Sequence, residues 1–162
     1  MDQIQLTIQT AIKAWEMQIS RTDKFLGSLD DASLTKEIAP GKNRISYLIG
    51  HLIAVNDNIH AMFGMSERSY AHLDEAFVKN ADRATNREPG ISDLREDWKR
   101  SNEQLSALFS RMTVKDWLSR HTAMTDEDYL KEPTRNKLAV LMNRTSHVAY
   151  HLGQLALATP RR

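Results

Sequence analysis

Apolar residues recur at steps of three and four along four separate stretches of this chain, and no window alternates convincingly in steps of two. A three-to-four spacing lines side chains up on one stripe of an α-helix, whereas a half-buried strand needs a period of two. The first stretch carries Ile4, Ile8, Ala11, Ile12, Trp15, Ile19 and Leu26 and stops near Gly27 to Asp31, ahead of a break at "IAPGKN". The second, "RISYLIGHLIAVNDNIHAMF", begins after Asn43, which fits an N-cap, and runs to about Gly64. The third follows Pro89-Gly90 with Ile91, Leu94, Trp98, Leu105, Leu108 and Met112. The fourth follows Pro133 with Leu138, Leu141, Val148, Leu152 and Leu155. Helices with one apolar stripe bury it against each other, so the pattern predicts a single all-α domain, a four-helix bundle, over residues 1–162.

The connections bear on topology. Met65 to Pro89, about 25 residues, is polar and expected to be partly helical. A short loop would make the second and third helices antiparallel; one this long can return the chain to its starting end, so the two can run parallel. Thr113 to Pro133 is less decisive, and its "TDEDYLKE" run reads as solvated connection. Arg161-Arg162 reads as a frayed terminus.

Composition narrows the chemistry. The chain has no cysteine, so disulfides, thiolate metal sites and cysteine nucleophiles are excluded, and any metal must be held by His, Asp or Glu. The formal net charge is +1, and Lys and Arg are scattered rather than gathered into the basic stripe that nucleic acid requires. The start, "MDQIQLTIQTAIKAW", has neither a basic n-region nor a continuous apolar run, and no stretch approaches membrane-spanning length. A cytoplasmic protein is expected.

The histidines are the chemical signal. His147 and His151 lie four residues apart in the fourth helix, on one face although histidine is a middling helix former. At about 100° per residue, Asn143 and Gln154 share their sector, while the leucine stripe centres roughly 110° away. In the second helix His51 sits at the border of the apolar arc and leans inward, whereas His60 faces the other way and reads as solvated. His72 and His121 fall in connections. Three inward-leaning imidazoles on two helices can bind Zn²⁺ or Ni²⁺, and three protein ligands leave a coordination position open for substrate. A histidine bordering an apolar face also serves as a hydrogen-bonded packing residue, and spacing alone does not separate the two readings.

Here the sequence resembles the DinB/YfiT-like superfamily of helical metal-binding proteins. "NRISYLIGHLIAVND" and "HVAYHLGQLAL" carry the resemblance: one histidine in the second helix, then H-x-x-x-H followed by Gly-Gln in the fourth. His51, His147, His151 and Gly153-Gln154 match those positions, and the order of helices matches along nearly the whole chain. The resemblance implies an up-down-down-up bundle, a zinc or nickel ion on the three histidines and often a homodimer. Some relatives are transferases or isomerases that use a low-molecular-weight thiol; many have no known substrate.

A metal ion supports hydrolysis by lowering the pKa of bound water, or S-transfer by deprotonating a thiol, which this cysteine-free chain would take from a small-molecule cosubstrate. Asn58 lies on the His51 side and can face the site; Asp57 points away and reads as solvated. Asn143 and Gln154 are candidates to orient the ligating rings. Glu16 and Asp23 read as surface charges, and Trp15, Tyr47 and Trp98 as core or pocket lining. The competing reading is a non-catalytic bundle that binds a small molecule or pairs with itself.

Overall fold

A reciprocal cap starts the first helix. Asp2 accepts the Gln5 backbone N–H at 2.7 Å, and the Gln5 side chain accepts the Asp2 N–H at 3.3 Å, which satisfies donors that a helix start leaves unpaired. The computed structural model describes residues 2–158, so Arg161 and Arg162 lie outside the described residues. The helices are α1 (Gln3–Gly27), α2 (Asp31–Leu34), α3 (Ile45–Phe63), α4 (Asp74–Phe77), α5 (Ile91–Arg111), α6 (Val114–Trp117), α7 (Asp126–Lys131) and α8 (Lys137–Leu155). Among the described residues the only β pairing is two isolated bridges, Glu37 with Arg44 and Arg120 with Asn136.

The four long helices are those that the periodicity predicts. Each buries its stripe: Ile8, Ile12, Trp15 and Leu26 from α1; Leu94, Trp98, Leu105 and Leu108 from α5; Leu141, Val148 and Leu155 from α8. Leu152 is only partly buried and stands at the margin of its stripe. The helix α3 is different, being buried around most of its circumference. Its first helical residue follows Arg44 rather than Asn43, and Arg44 makes no side-chain cap. The Asp82 carboxylate takes the Arg44 N–H instead, at 2.7 Å. Gly64 ends α3 in the left-handed region, φ 64°, where glycine carries no Cβ penalty. Asn136 caps α8 through the Ala139 N–H at 3.0 Å.

In the assembled bundle α1 packs along α8, α3 along α5, and α3 also along α8. The long connection from residue 65 to 89 contains α4 and runs back along α3. Arg44 binds Asp82 and Glu88, the Tyr47 hydroxyl donates to the Asn80 carbonyl at 2.7 Å, and Asp57 takes the N–H groups of Ser69 and Tyr70, both at 3.0 Å. Residues 44, 47, 51, 54 and 57 form one i, i+3, i+4 track on α3, and the connection is tied to it in reverse order. It therefore delivers α5 to the end at which α3 begins.

That cover overturns two readings of α3. Asp57 is not solvated: it is 1% exposed and also accepts from Arg68 Nε at 3.0 Å. His60 is not solvated either: it is 6% exposed, and its Nδ1 lies 2.6 Å from Ser66 Oγ. A helical wheel assigns the face opposite the bundle core to water, but here the connection occupies that face and needs polar anchors there. Asp23 is exposed, as a surface charge should be, yet accepts the Trp98 indole N–H at 2.7 Å. Trp15, Tyr47 and Trp98 belong to the core. No helix among the described residues is long and apolar enough to cross a membrane.

Candidate metal centre

The contact of α3 with α8 brings His51, His147 and His151 together, with one ring nitrogen of each within 4.8 Å of the others. His147 Nε2 lies 3.3 Å from His51 Nε2 and 3.0 Å from His151 Nε2. Two bonds of about 2.1 Å set their nitrogens about 3.0 Å apart at a right angle and about 3.4 Å apart at the tetrahedral angle. The observed separations fall in that range.

The outward nitrogens fix which way two of the rings are protonated. His51 Nδ1 is 2.8 Å from the Phe77 carbonyl oxygen, and His151 Nδ1 is 2.7 Å from Gln154 Oε1. An oxygen of that kind only accepts, so both Nδ1 atoms carry the proton and both Nε2 atoms turn a lone pair inward. His147 cannot settle this arrangement. Its Nδ1 is buried with no partner among the described residues. If its proton sits on Nε2, Nδ1 is a buried acceptor left unmet; if on Nδ1, three lone pairs meet at one point. A cation at that point satisfies all three Nε2 atoms, so the residues fit a divalent metal.

Electrostatics favour ligation over protonation. Burial pushes the His147 imidazole down to about 4, and the charges of His151, His51 and Arg144 push the same way. Burial also lowers His151, opposed by its Gln154 hydrogen bond. Neutral imidazole is the form that binds metal.

Close packing aims His51. Phe77 is fully buried, and a Cβ added at Gly50 would lie 2.6 Å from two carbons of its ring. Glycine at this mid-helix position lets the ring seat on α3, and the Phe77 carbonyl then reaches His51 one residue on. Glycine inside a helix beside a candidate ligand was the sequence signal for this contact.

The three orienting candidates separate. Gln154 holds His151, its NH₂ group donating to the Tyr150 hydroxyl at 3.1 Å. Asn58 lies on the wall of a cleft of about 400 Å³ that also touches His51 and His147. Asn143 is exposed and lines a different hollow, with His121 and Met62. It shares the angular sector of His147 but sits one turn lower on α8, where the facing residues are not the ligand candidates. His72 is exposed and lies outside the cluster.

Sequence reasoning missed two arginines at the cleft. Arg68 comes from the long connection and is held by both oxygens of Asp74 at 2.7 Å, by Asp57, and by the Ala54 carbonyl at 3.1 Å. Nothing local in the sequence announces that arrangement. Arg144 precedes His147 by three residues, and that spacing alone sets it on the same face of α8.

A family model described as the DinB superfamily matches residues 14–155. No curated protein matches the chain.

Proposed function

The chain belongs to the DinB superfamily, and from that membership and its converging histidines we propose a metal-dependent enzyme that acts on a small molecule, with His51, His147 and His151 as the ligands of one zinc or nickel ion. The observation that carries this reading is the meeting of three Nε2 atoms, two of them fixed as lone pairs by Phe77 and Gln154. The ion would act as a Lewis acid with an open position, lowering the pKa of a thiol or a water bound there.

The chain's own residues favour thiol transfer over hydrolysis. Hydrolysis at such a site gains from a free general base within reach of water. The carboxylate on the cleft wall, Asp74, is committed to Arg68, whose hydrogen bonds lower its pKa and make it a weaker base. Asn58 cannot accept a proton. A thiol bound at such an ion would reach its thiolate by releasing the proton to solvent, and this cysteine-free chain must take that thiol from a cosubstrate. His51 and His151 hold ring orientation through their Nδ1 protons, and the cleft beside His51 and His147 receives the reactants.

The test is metal analysis of untagged protein. About one divalent ion per chain is expected, lost in His151→Ala with helicity retained. Absence of stoichiometric metal in the native protein sinks the proposal. Turnover of electrophilic substrates should require added thiol; a rate unchanged without thiol would favour hydrolysis.

A further inference from the structure

Arg68 and Arg144 both line this cleft, in opposite states, and Arg144 stands on the wall it shares with the hollow of Asn143 and Met62. Arg68 spends its donors on Asp57, Asp74 and a backbone carbonyl. Arg144 makes no ion pair among the described residues. Its one polar contact there is a long one, from a terminal nitrogen to Met62 Sδ at 3.9 Å, and its Nε is buried without a partner. A guanidinium partly withdrawn from water, with its Nε left without an acceptor, is costly, and five fixed donors suit a planar oxyanion. Asp74, the carboxylate on the cleft wall, is already engaged. Among the described residues no free carboxylate is therefore left on this cleft to serve as the counter-ion.

We propose that Arg144 is the anion receptor of this cleft, and that the small molecule taken at the histidine centre carries a carboxylate which pairs with it. This rests on the reading of the cleft as the reactant site. Arg144 lies one helical turn from His147, so a compact acid can meet the guanidinium with one end and the histidine centre with the other. The carboxylate can belong to the thiol cosubstrate or to its electrophilic partner; the recognition chemistry is the same.

The decisive experiment uses metal-free protein, so that it does not depend on metal uptake. Propionate and its uncharged analogue propionamide are titrated while the backbone amide signals of Ala54, Val55 and Val78 on the cleft wall, present in every variant, are followed by NMR. Propionate should bind more tightly by about tenfold to a hundredfold, the range for a hydrogen bond to a charged group. Arg144→Gln should abolish that preference, and Arg144→Lys should keep part of it, retaining charge without the fork. Equal response to acid and amide, or an unchanged preference in Arg144→Gln, overturns the proposal. Failure to take up metal would instead count against the metal reading alone. In cobalt-loaded protein, tighter capture of 3-mercaptopropionate than of 2-mercaptoethanol assigns the carboxylate to the thiol. Equal capture of the two thiols, with propionate still bound beside them, assigns it to the electrophile.

Discussion

Single atoms decide whether this bundle has a centre. Gln154 Oε1 holds the His151 ring so that its Nε2 turns inward, at the cost of one exposed hydrogen bond to Tyr150. Groups that orient a ligating histidine typically contribute 10- to 100-fold in metal affinity. Gln154→Leu should therefore weaken zinc binding by about that factor while leaving the melting temperature of the metal-free protein nearly unchanged; a competition titration with a chromophoric chelator reads it. The two helical glycines near the ligands make opposite predictions. At Gly153 an added Cβ meets nothing within 4 Å, so Gly153→Ala should stabilise by up to about 1 kcal/mol through helix propensity. At Gly50 the same change drives into the Phe77 ring and should destabilise by about 1–3 kcal/mol despite better propensity. Metal affinity should fall with it, because the Phe77 carbonyl orients His51. Denaturant unfolding of the two variants, compared side by side, checks both signs.

Among the elements, the connection from 65 to 89 does more than join helices. It covers α3, supplies the Phe77 carbonyl to His51 and brings Arg68 to the cleft. Asp57 is its principal anchor, accepting three hydrogen bonds with no exposed side-chain surface. Removing one partner of a buried ion pair typically costs about 3–5 kcal/mol, because the other charge and its donors are left unmet. Asp57→Ala should lose about that much, and hydrogen exchange should show amides 66–80 released ahead of α5 and α8. Uniform loss of protection across all four long helices would contradict a local anchor.

For the whole molecule, protons and a bound metal would compete for His147 and His151, while His60 and His121 answer to pH alone. Burial lowers the pKa values of His60, His121, His147 and His151, the third of these to about 4. In the unfolded chain these imidazoles take protons near their ordinary value of 6.5. Between that value and about 4 the unfolded chain binds more protons, so metal-free stability should fall as the pH drops through this window. Above it both states are neutral and the histidines contribute no slope. A zinc ion bound only by the folded chain adds about 4 kcal/mol at a thousandfold excess over its dissociation constant. Unfolding midpoints from pH 8 to 4, with and without zinc, check both: the zinc increment should disappear in His147→Ala.

The sequence by itself determined that this chain forms four long helices, where the first three begin within a residue or two (the fourth starts at Lys137, three residues later than its Pro133 boundary suggests), and which three histidines lean toward the core. These are consequences of local spacing, since the helical repeat carries side chains to one face wherever the helix is later placed. It did not determine that Asp57 and His60 are buried, that Asn143 stands apart from the centre, or that Arg68 and Arg144 share a cleft. A helical wheel gives the angle of a residue on its own helix but not what lies opposite. Only the tertiary structure, by folding a long polar connection over α3 and setting α8 beside it, decided which of those faces meet water.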